Sequence, residues 1–464
     1  MNPICAIAVP HPPLIIPQVG KGDERGIAAT VEAYKKAADF VASFKPETII
    51  IATPHSVMYS DYIHISPGIG ASGSFARFRA RDVSFKVRYD SELVTAIQGV
   101  CIEEGISAGT EGERDPSLDH GAMVPLYFLR QAFGGNIDIP IVRIGLSGLP
   151  LREHYKFGAA IKKAADKIGR KIAFVASGDL SHRLKEDGPY GYNEKGPEYD
   201  RKIMETLSKA DFGALLDFSE NLCDQAGECG HRAFVMMAGA FDGLSVKAEQ
   251  LSYEGPFGVG YGVAIFEPIK KDESRYFLEA AGKQERAQRK SRRDNESEYV
   301  RLARASLESY VRDGKIIDTP EGLSDALINR AAGAFVSIKK NGNLRGCIGT
   351  IYPVCPTLAQ EIINNAVSSG TRDPRFNPVK PSELDELVYS VDVLGETEDI
   401  NSPSELDVKR YGVIVSKGYR KGLLLPNLEG VDTVEEQISI ARQKAGIAPD
   451  ESVKLQRFEV VRHY

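Results

Sequence analysis

The sequence predicts an α/β fold: a mostly parallel, helix-covered sheet followed by a smaller α+β domain. The chain has 464 residues, more than one ordinary hydrophobic core accommodates, so two domains are expected. In the first part, short β-rich runs alternate with longer helical patterns, which is typical of a parallel sheet. A polar, charge-dense stretch at residues 269–294 interrupts this pattern. We therefore predict domains at residues 1–268 and 295–464, joined by a charged linker.

The spacing of apolar residues defines the elements of the first domain. Near-continuous apolar runs predict strands that are buried on both faces of the sheet. Apolar residues at three- and four-residue spacing predict the helices between them. The predicted strands are ICAIAV, ETIIIATPH, RKIAFVASGD and GVGYGVAIFEP, and the predicted helices include GIAATVEAYKKAADFVASF and FGAAIKKAADKIG.

The second domain combines amphipathic helices with strands that favour antiparallel pairing. Its first helix ends at Gly314, and two strands then flank Asn341–Gly342, a dipeptide that favours a tight hairpin turn. The other predicted strands are ELVYSVDVL, GVIVSKG, KGLLLP and VKLQRFEVV, and the further helices are TLAQEIINNAVSSG and VEEQISIARQKAG. We therefore expect an α+β architecture for this part.

The composition argues against several classes of protein. A formal net charge of −6 gives no reason to expect nucleic acid or an anionic membrane surface as a partner. No apolar run approaches the roughly 20 residues that span a bilayer, and the N-terminus does not resemble a signal peptide. The six cysteines are sparse and irregularly spaced, so we expect a cytoplasmic protein without a disulfide framework.

The placement of the histidines carries the strongest functional signal. His11, His55 and His182 each follow a predicted strand closely, and His120 lies in a loop before a helical run. A single histidine in such a place is more often bonded to a neighbouring carbonyl group than functional. Parallel strands, however, end at the same edge of a sheet, where ligands bind. We therefore expect these four histidines to meet in one crevice.

A further set of candidate ligands occurs in the segment AGECGHRAF. Glu228 and Cys229 lie where an apolar helical run begins, and a helix N-terminus stabilises negative charge. Two histidines with a carboxylate suit non-haem Fe(II), whereas two histidines with a cysteine favour zinc or copper. The residues alone do not decide between these two ligand sets. The segment is explained equally well as an ordinary first turn of a helix that binds no metal.

The segment SGDLSH supplies candidate acid–base groups. His182 can exchange a proton near neutral pH, and Asp179 could orient His182 or stabilise its charged form. Ser177 and Ser181 are better explained as residues that cap the turn and bond to the backbone. A serine hydrolase is disfavoured because the sequence contains no G-x-S-x-G motif.

Residues 4–268 resemble the class III extradiol ring-cleavage dioxygenases, the LigB-like fold, and especially its Memo-like branch. The matching segments are PHPP around His11, TPHS around His55, LDHG around His120, SGDLSH around His182 and GECGHR around Cys229. Residues 295–464 resemble the AMMECR domain through LRGCIGT at Leu344–Thr350 and RDPRF at Arg372–Phe376. These two domains also occur beside a radical-SAM protein in the AmmeMemoRadiSam group.

The resemblance implies roles for individual residues. It implies that His11 and His55 bind Fe(II) with Glu228, or with Cys229 as in the Memo-like branch. It assigns acid–base catalysis to His182 and a second active-site role to His120. Asp179 stands where the Memo-like branch carries an acid and the ring-cleaving members a small residue, which puts catechol cleavage in question.

The leading hypothesis is an oxidoreductase that uses Fe(II) to bind a catechol-like or other chelating substrate together with dioxygen. Zinc or copper is the alternative metal. Three other functions remain open: a metal-binding module without turnover, a modification or assembly factor that works with a radical-SAM partner, and a zinc hydrolase. In the second domain, Arg345 and Arg372 could bind an anion, and Cys347 is better explained by packing.

Overall fold

The computed structural model describes residues 4–112, 117–340, 343–428 and 430–464. The chain divides into two compact units, Met1–Lys283 and Gln284–Tyr464. A helix, Phe277–Asp294, occupies much of the stretch that the sequence suggests as a linker. The domain limits at residues 268 and 295 stay predictions.

A six-stranded sheet forms the centre of the first unit. Its strands are β1 (Ile4–Val9), β2 (Thr48–Thr53), β3 (Ile141–Gly145), β4 (Ile172–Ser177), β5 (Leu244–Glu254) and β6 (Tyr261–Lys271). They are arranged in the order β3-β2-β4-β1-β6-β5. The four strands β3, β2, β4 and β1 are mutually parallel, whereas β6 pairs antiparallel with both of its neighbours. The prediction of a parallel sheet therefore holds for these four strands. Strand β6 runs antiparallel to β5 because the short connection between them allows only a hairpin.

Helices cover both faces of this sheet. They are α1 (Ala28–Phe44), α2 (Ser91–Glu104), α3 (His120–Ala132), α4 (Leu151–Lys167), α5 (Lys195–Ser208), α6 (Glu220–Ala226) and α7 (His231–Gly239). Alternate side chains of β1 enter two separate hydrophobic clusters, Ile4, Ala6 and Ala8 in one and Cys5, Ile7 and Val9 in the other. The strand is thus buried on both faces, as its continuous apolar run predicts.

Shorter elements complete the first unit and lie along its loops. They are the helix Pro17–Gly20 and two small strand pairs, Ile63–His64 with Ala108–Gly109 and Gly70–Phe75 with Ala80–Arg88. No helix within the described ranges is both long and apolar enough to cross a membrane.

The second unit contains an antiparallel sheet of seven strands. They are β7 (Ala334–Lys340), β8 (Asn343–Gly349), β9 (Leu387–Leu394), β10 (Glu398–Ile400), β11 (Tyr411–Lys417), β12 (Arg420–Leu424) and β13 (Lys454–His463). The order is β8-β7-β9-β13-β11-β12, and β10 also pairs with β13. The predicted turn at Asn341–Gly342 lies outside the described residues, although Lys340 and Asn343 are paired across the two strands.

Helix α8 (Phe277–Asp294) contains the limit between the two units. The described part of the second unit also contains α9 (Glu298–Asp313), α10 (Leu358–Thr371) and α11 (Val434–Ala445), with a short turn of helix at Asp325–Ile328. Helices α9 and α10 pack together with β7 and β9 in one hydrophobic cluster, and α11 packs with β11 and β12 in another. The chain is therefore a mixed α/β protein.

Candidate metal centre

Three histidines converge at the carboxyl edge of the parallel strands. His11 lies two residues beyond the end of β1, His55 lies two residues beyond the end of β2, and His120 is the first residue of α3. One ring nitrogen from each residue lies within 4.8 Å of the others. The structure thus brings together three of the four histidines that the sequence predicts to meet in one crevice, and these three could hold one ion.

The closest pair in this group is His11 and His55. Their Nε2 atoms are 3.0 Å apart, and their rings meet edge to face. The His120 ring stacks on His55 with a centroid separation of 4.0 Å. Two imidazole nitrogens at this separation can share one proton or bind one cation, because two facing lone pairs repel each other without a positive charge between them.

A buried serine determines the tautomer of His11. The Ser177 hydroxyl donates to the Gly121 carbonyl oxygen at 2.6 Å, so its single proton is already engaged. His11 Nδ1, 2.9 Å from Ser177 Oγ, must therefore carry the proton and donate it. The Nε2 atom of His11 is left with a free lone pair that faces His55. Such an orienting bond is typical of histidines that bind metals.

The environment keeps the imidazoles of this site neutral. Burial lowers the pKa of His11 well below its ordinary value, and the nearby imidazoles of His55 and His120 lower it further. Burial also lowers the pKa of His55, and it lowers the pKa of His120 to about 4. Neutral imidazole is the form that binds metal ions, so these residues need to lose no proton at neutral pH.

One carboxylate connects the loops that carry His55 and His120. Asp119 Oδ1 accepts from the Ala122 amide at 3.0 Å and so caps helix α3 at the turn where His120 lies. The same oxygen accepts from the Thr53 hydroxyl at 2.7 Å, and Thr53 Oγ1 in turn accepts from the His55 amide. Asp119 is a positioning residue for both histidines.

Cys229 lies against His11 on the other side of the site. Its sulfur is 3.6 Å from His11 Nε2 and accepts a hydrogen bond from the Asp179 amide at 3.3 Å. This approach depends on two glycines, since a Cβ atom on Gly178 would lie 2.0 Å from the Cα atom of Gly230. The two backbone segments therefore lie in direct contact, and the thiol is placed beside His11 Nε2.

Asp179 supports His11 through its backbone. The carboxylate oxygen Oδ1 accepts from the His11 amide at 2.7 Å, and burial raises the pKa of this carboxyl group to about 7. This contact differs from the expectation that Asp179 orients His182. The catalytic assignment of Asp179 stays a prediction.

Glu228 is held at a helix start. Its carboxylate accepts from the His231 amide at 2.5 Å, at the first turn of α7, and burial raises its pKa to about 7. Between Glu228 and Cys229, Cys229 is the residue with a contact to His11 in the described part of the chain. The role of Glu228 as an iron ligand stays a prediction.

His182 presents one ring nitrogen for chemistry. Its Nδ1 atom lies 2.6 Å from the Gly227 carbonyl oxygen, which can only accept, so Nδ1 carries the proton and Nε2 the lone pair. Burial lowers the pKa of His182, partly offset by this hydrogen bond. The ring of Tyr190, an exposed residue, lies edge-on to His182 at 5.1 Å.

Asp119 and Ser177 have roles at this site that the sequence did not predict. Asp119 carries a recognisable signal, since an aspartate directly before a helical run is a good N-cap. Ser177 is predicted only to cap a turn, and its contact with His11 joins residues 166 positions apart, which local spacing does not reveal.

In the second unit, Arg345 is already paired with Glu383 at 3.0 Å, which accounts for its charge.

Comparison with known proteins gives the same two-part division. Residues 5–264 match the family described as the catalytic LigB subunit of aromatic ring-opening dioxygenase, and residues 300–463 match AMMECR1. A Clostridium acetobutylicum protein is 42% identical over 473 aligned residues, which cover 98% of each chain. A Thermotoga maritima protein is 54% identical over 170 residues, 36% of this chain and 98% of that protein. The crystal structure of an uncharacterised Pyrococcus horikoshii protein covers 35% of this chain and 88% of its own, with 38% identity and a TM-score of 0.34.

Proposed function

Because the chain belongs to the LigB family through residues 5–264 and carries an AMMECR1 domain at residues 300–463, we propose that its first unit is a metal-dependent oxidoreductase of the ring-opening dioxygenase type. The observation that supports this most is the 3.0 Å separation of the Nε2 atoms of His11 and His55, on two imidazoles whose pKa values are lowered by burial. An arrangement of neutral, facing nitrogen atoms at a strand edge is suited to a cation rather than to packing.

The residues present fit a transition-metal ion. We assign His11 and His55 as ligands through Nε2 and Cys229 as the third ligand, which leaves His120, the third histidine of the cluster, for contact with the substrate. Imidazole binds iron, zinc and copper, and a thiol adds affinity for the softer metals. We propose Fe(II) because the family is that of ring-opening dioxygenases. Held by these residues, Fe(II) would supply a Lewis acid for a chelating substrate and dioxygen.

His182 is the residue that we assign to proton transfer. Its Nε2 atom carries a lone pair, and its lowered pKa keeps the ring neutral at physiological pH. A neutral imidazole can accept a proton from a phenolic hydroxyl and return it later in the cycle. His120, stacked on His55, would orient the second oxygen atom of the substrate.

Oxygen uptake tests this function directly. The protein is purified without oxygen, loaded with Fe(II), and mixed with a panel of catechol-type diols in an oxygen electrode. We expect uptake that matches the amount of ring-opened product, and its loss in His182→Gln with the iron content unchanged. His463→Gln, a substitution in the second unit, is the control and should retain uptake. Iron-loaded protein that consumes no oxygen with any diol would contradict the proposal.

The contact between Cys229 and His11 favours a second candidate, a zinc hydrolase that uses the same ligands. Activity of this kind requires no dioxygen and would appear with zinc under anaerobic conditions, for example on p-nitrophenyl esters. Zinc-loaded protein that is inactive on such esters would remove this candidate. A radical-SAM partner and a role in modification or assembly stay predictions.

A further inference from the structure

Strand β5 forms one edge of the sheet in the first unit and pairs with β6 on its inner side. At the opposite edge, the amides of Asp90 and Ser66 donate to carbonyl oxygens of β3 at 3.0 and 2.9 Å, so that edge is covered. Among the described residues, no loop or helix makes a backbone hydrogen bond to residues 245–253 on their outer side. The outer edge of β5 is therefore open to a further strand.

The middle of β5 is regular and accessible to solvent. Its pairing with β6 is continuous from Val246 to Gln250, and register shifts interrupt the pairing on either side of this segment. Lys247, Glu249 and Gln250 are exposed, and Val246 and Ala248 are half-buried. The segment 246–250 is thus a bulge-free template on which another strand can pair.

Two opposite charges on this segment have no ion-pair partner in the part of the chain that the structure describes. Lys247 and Glu249 lie on the same face of the strand because they are two positions apart. On β6, Glu249 lies opposite Ile265, which carries no charge, and Lys247 lies opposite Glu267 without an ion pair. Both charges are therefore available to a partner strand.

Two copies of the segment 246–250 are complementary in charge. When they pair antiparallel with Ala248 opposite Ala248, Lys247 of each copy lies opposite Glu249 of the other. This arrangement has a two-fold axis, so the opposite-charge pair forms twice. Antiparallel pairing centred on Lys247 or on Glu249 would instead place like charges opposite each other. The charges thus select one register, centred on Ala248.

We propose that the outer edge of β5 is an interface between two copies of this chain, which pair antiparallel through residues 246–250. The two sheets join into one, with six strands from each copy. Backbone hydrogen bonds between the two strands supply affinity, and the Lys247–Glu249 pairs fix the register. Charges on an edge strand usually keep other strands away, but these two are self-complementary and admit a second copy. The interface is independent of the metal centre.

Charge reversal tests this interface on the full-length chain, with the dimer dissociation constant measured by sedimentation velocity over a range of concentrations. Lys247→Glu and Glu249→Lys each replace two opposite-charge pairs with two like-charge pairs. We expect each to weaken dimerisation by about tenfold or more. The double variant Lys247→Glu/Glu249→Lys restores both the pairing and the net charge, so it should dimerise as the parent does. Lys409→Glu, at an exposed lysine of the second unit, is the control and should leave the constant unchanged.

Cysteine crosslinking tests the register of the two strands. Ala248→Cys places two thiols opposite each other within reach of a disulfide, whereas Ser245→Cys places them about 20 Å apart. With oxidised glutathione as the oxidant, we expect an intermolecular disulfide at residue 248 in the first variant and none at residue 245 in the second, as identified by peptide mass spectrometry. Equal crosslinking at the two positions would contradict this register.

Two results would overturn the interface itself. The first is a parent chain that stays monomeric at every concentration tested. The second is a dimer whose dissociation constant is unchanged by both single charge reversals.

Discussion

The Nε2 atoms of His11 and His55 lie 3.0 Å apart although the two residues are 44 positions apart in the chain. Strands β1 and β2 lie on either side of β4 in the sheet, and all three point in the same direction. The parallel arrangement is what places the two histidines at one edge. The lowered pKa values favour the neutral form of both imidazoles, and the hydrogen bond from His11 to Ser177 leaves the His11 Nε2 lone pair available.

Ser177→Ala should weaken metal binding with little effect on the fold. The substitution removes the hydroxyl that accepts the His11 Nδ1 proton, so the imidazole can rotate or change tautomer. We expect metal affinity to fall by about 10- to 100-fold, the usual cost of losing such an orienting bond. Competition titration with a chelating dye measures this affinity.

Ser181→Ala is the matched control, since Ser181 is equally buried but donates to the Ala226 carbonyl oxygen instead. An equal loss of affinity in the two variants would show that the effect comes from general damage to the loop.

Cys229→Ser and Glu228→Gln distinguish the two candidate third ligands. The sulfur of Cys229 is 3.6 Å from His11 Nε2, whereas the carboxylate of Glu228 accepts from the His231 amide. We expect the Co(II)-substituted protein to show a thiolate charge-transfer absorption that disappears in Cys229→Ser and persists in Glu228→Gln. Loss of bound metal in Glu228→Gln alone would identify the carboxylate as the ligand.

Asp200 should make the stability of the first unit depend on pH. Its carboxylate accepts from the Ser181 amide and the Tyr253 hydroxyl, each at 2.8 Å, and burial raises its pKa to about 7. An aspartate in the unfolded chain has a pKa of about 3.9. The folded state therefore binds the proton more tightly than the unfolded state does. The stability that this proton contributes is fully present below about pH 4 and is lost as the pH rises through about 7. The free energy of unfolding falls by at most about 1.4 kcal/mol per pH unit over this range.

Asp200→Asn should remove this pH dependence. Compared with the parent protein, the variant should be relatively more stable at pH 8 than at pH 5. Scanning calorimetry of the first unit's transition at the two pH values measures the difference. Asp450→Asn, in the second unit, is the control. An unchanged pH dependence in Asp200→Asn would contradict the assignment.

The convergence of His11, His55 and His120 could be expected from the sequence because strand ends and helix starts leave local signals. The choice between Glu228 and Cys229 as the third ligand could not be predicted from the sequence. These neighbours differ only in which way each side chain points, and that depends on the close contact of Gly178 with Gly230, 52 positions further along the chain. The antiparallel β6 escaped prediction for a related reason. Its continuous apolar run resembles that of a parallel strand, and only the hairpin to β5 sets its direction.

Cys347 shows a similar limit in the second unit. Its flanking glycines are visible in the sequence and favour a close backbone approach, which the contact of Gly346 with Ser369 provides. The other partner in that contact, Ser369 on helix α10, is brought to the strand by tertiary packing, which the local sequence does not reveal.

The metal content of the purified protein tests the central claim most directly. The parent chain, His11→Ala, His55→Ala and the control His463→Gln are purified without oxygen, and bound metals are quantified by plasma mass spectrometry. We expect about one transition-metal ion per chain in the parent and the control, and loss of most of it in each of the other two variants. Equal metal content in all four proteins would contradict a metal centre built on His11 and His55.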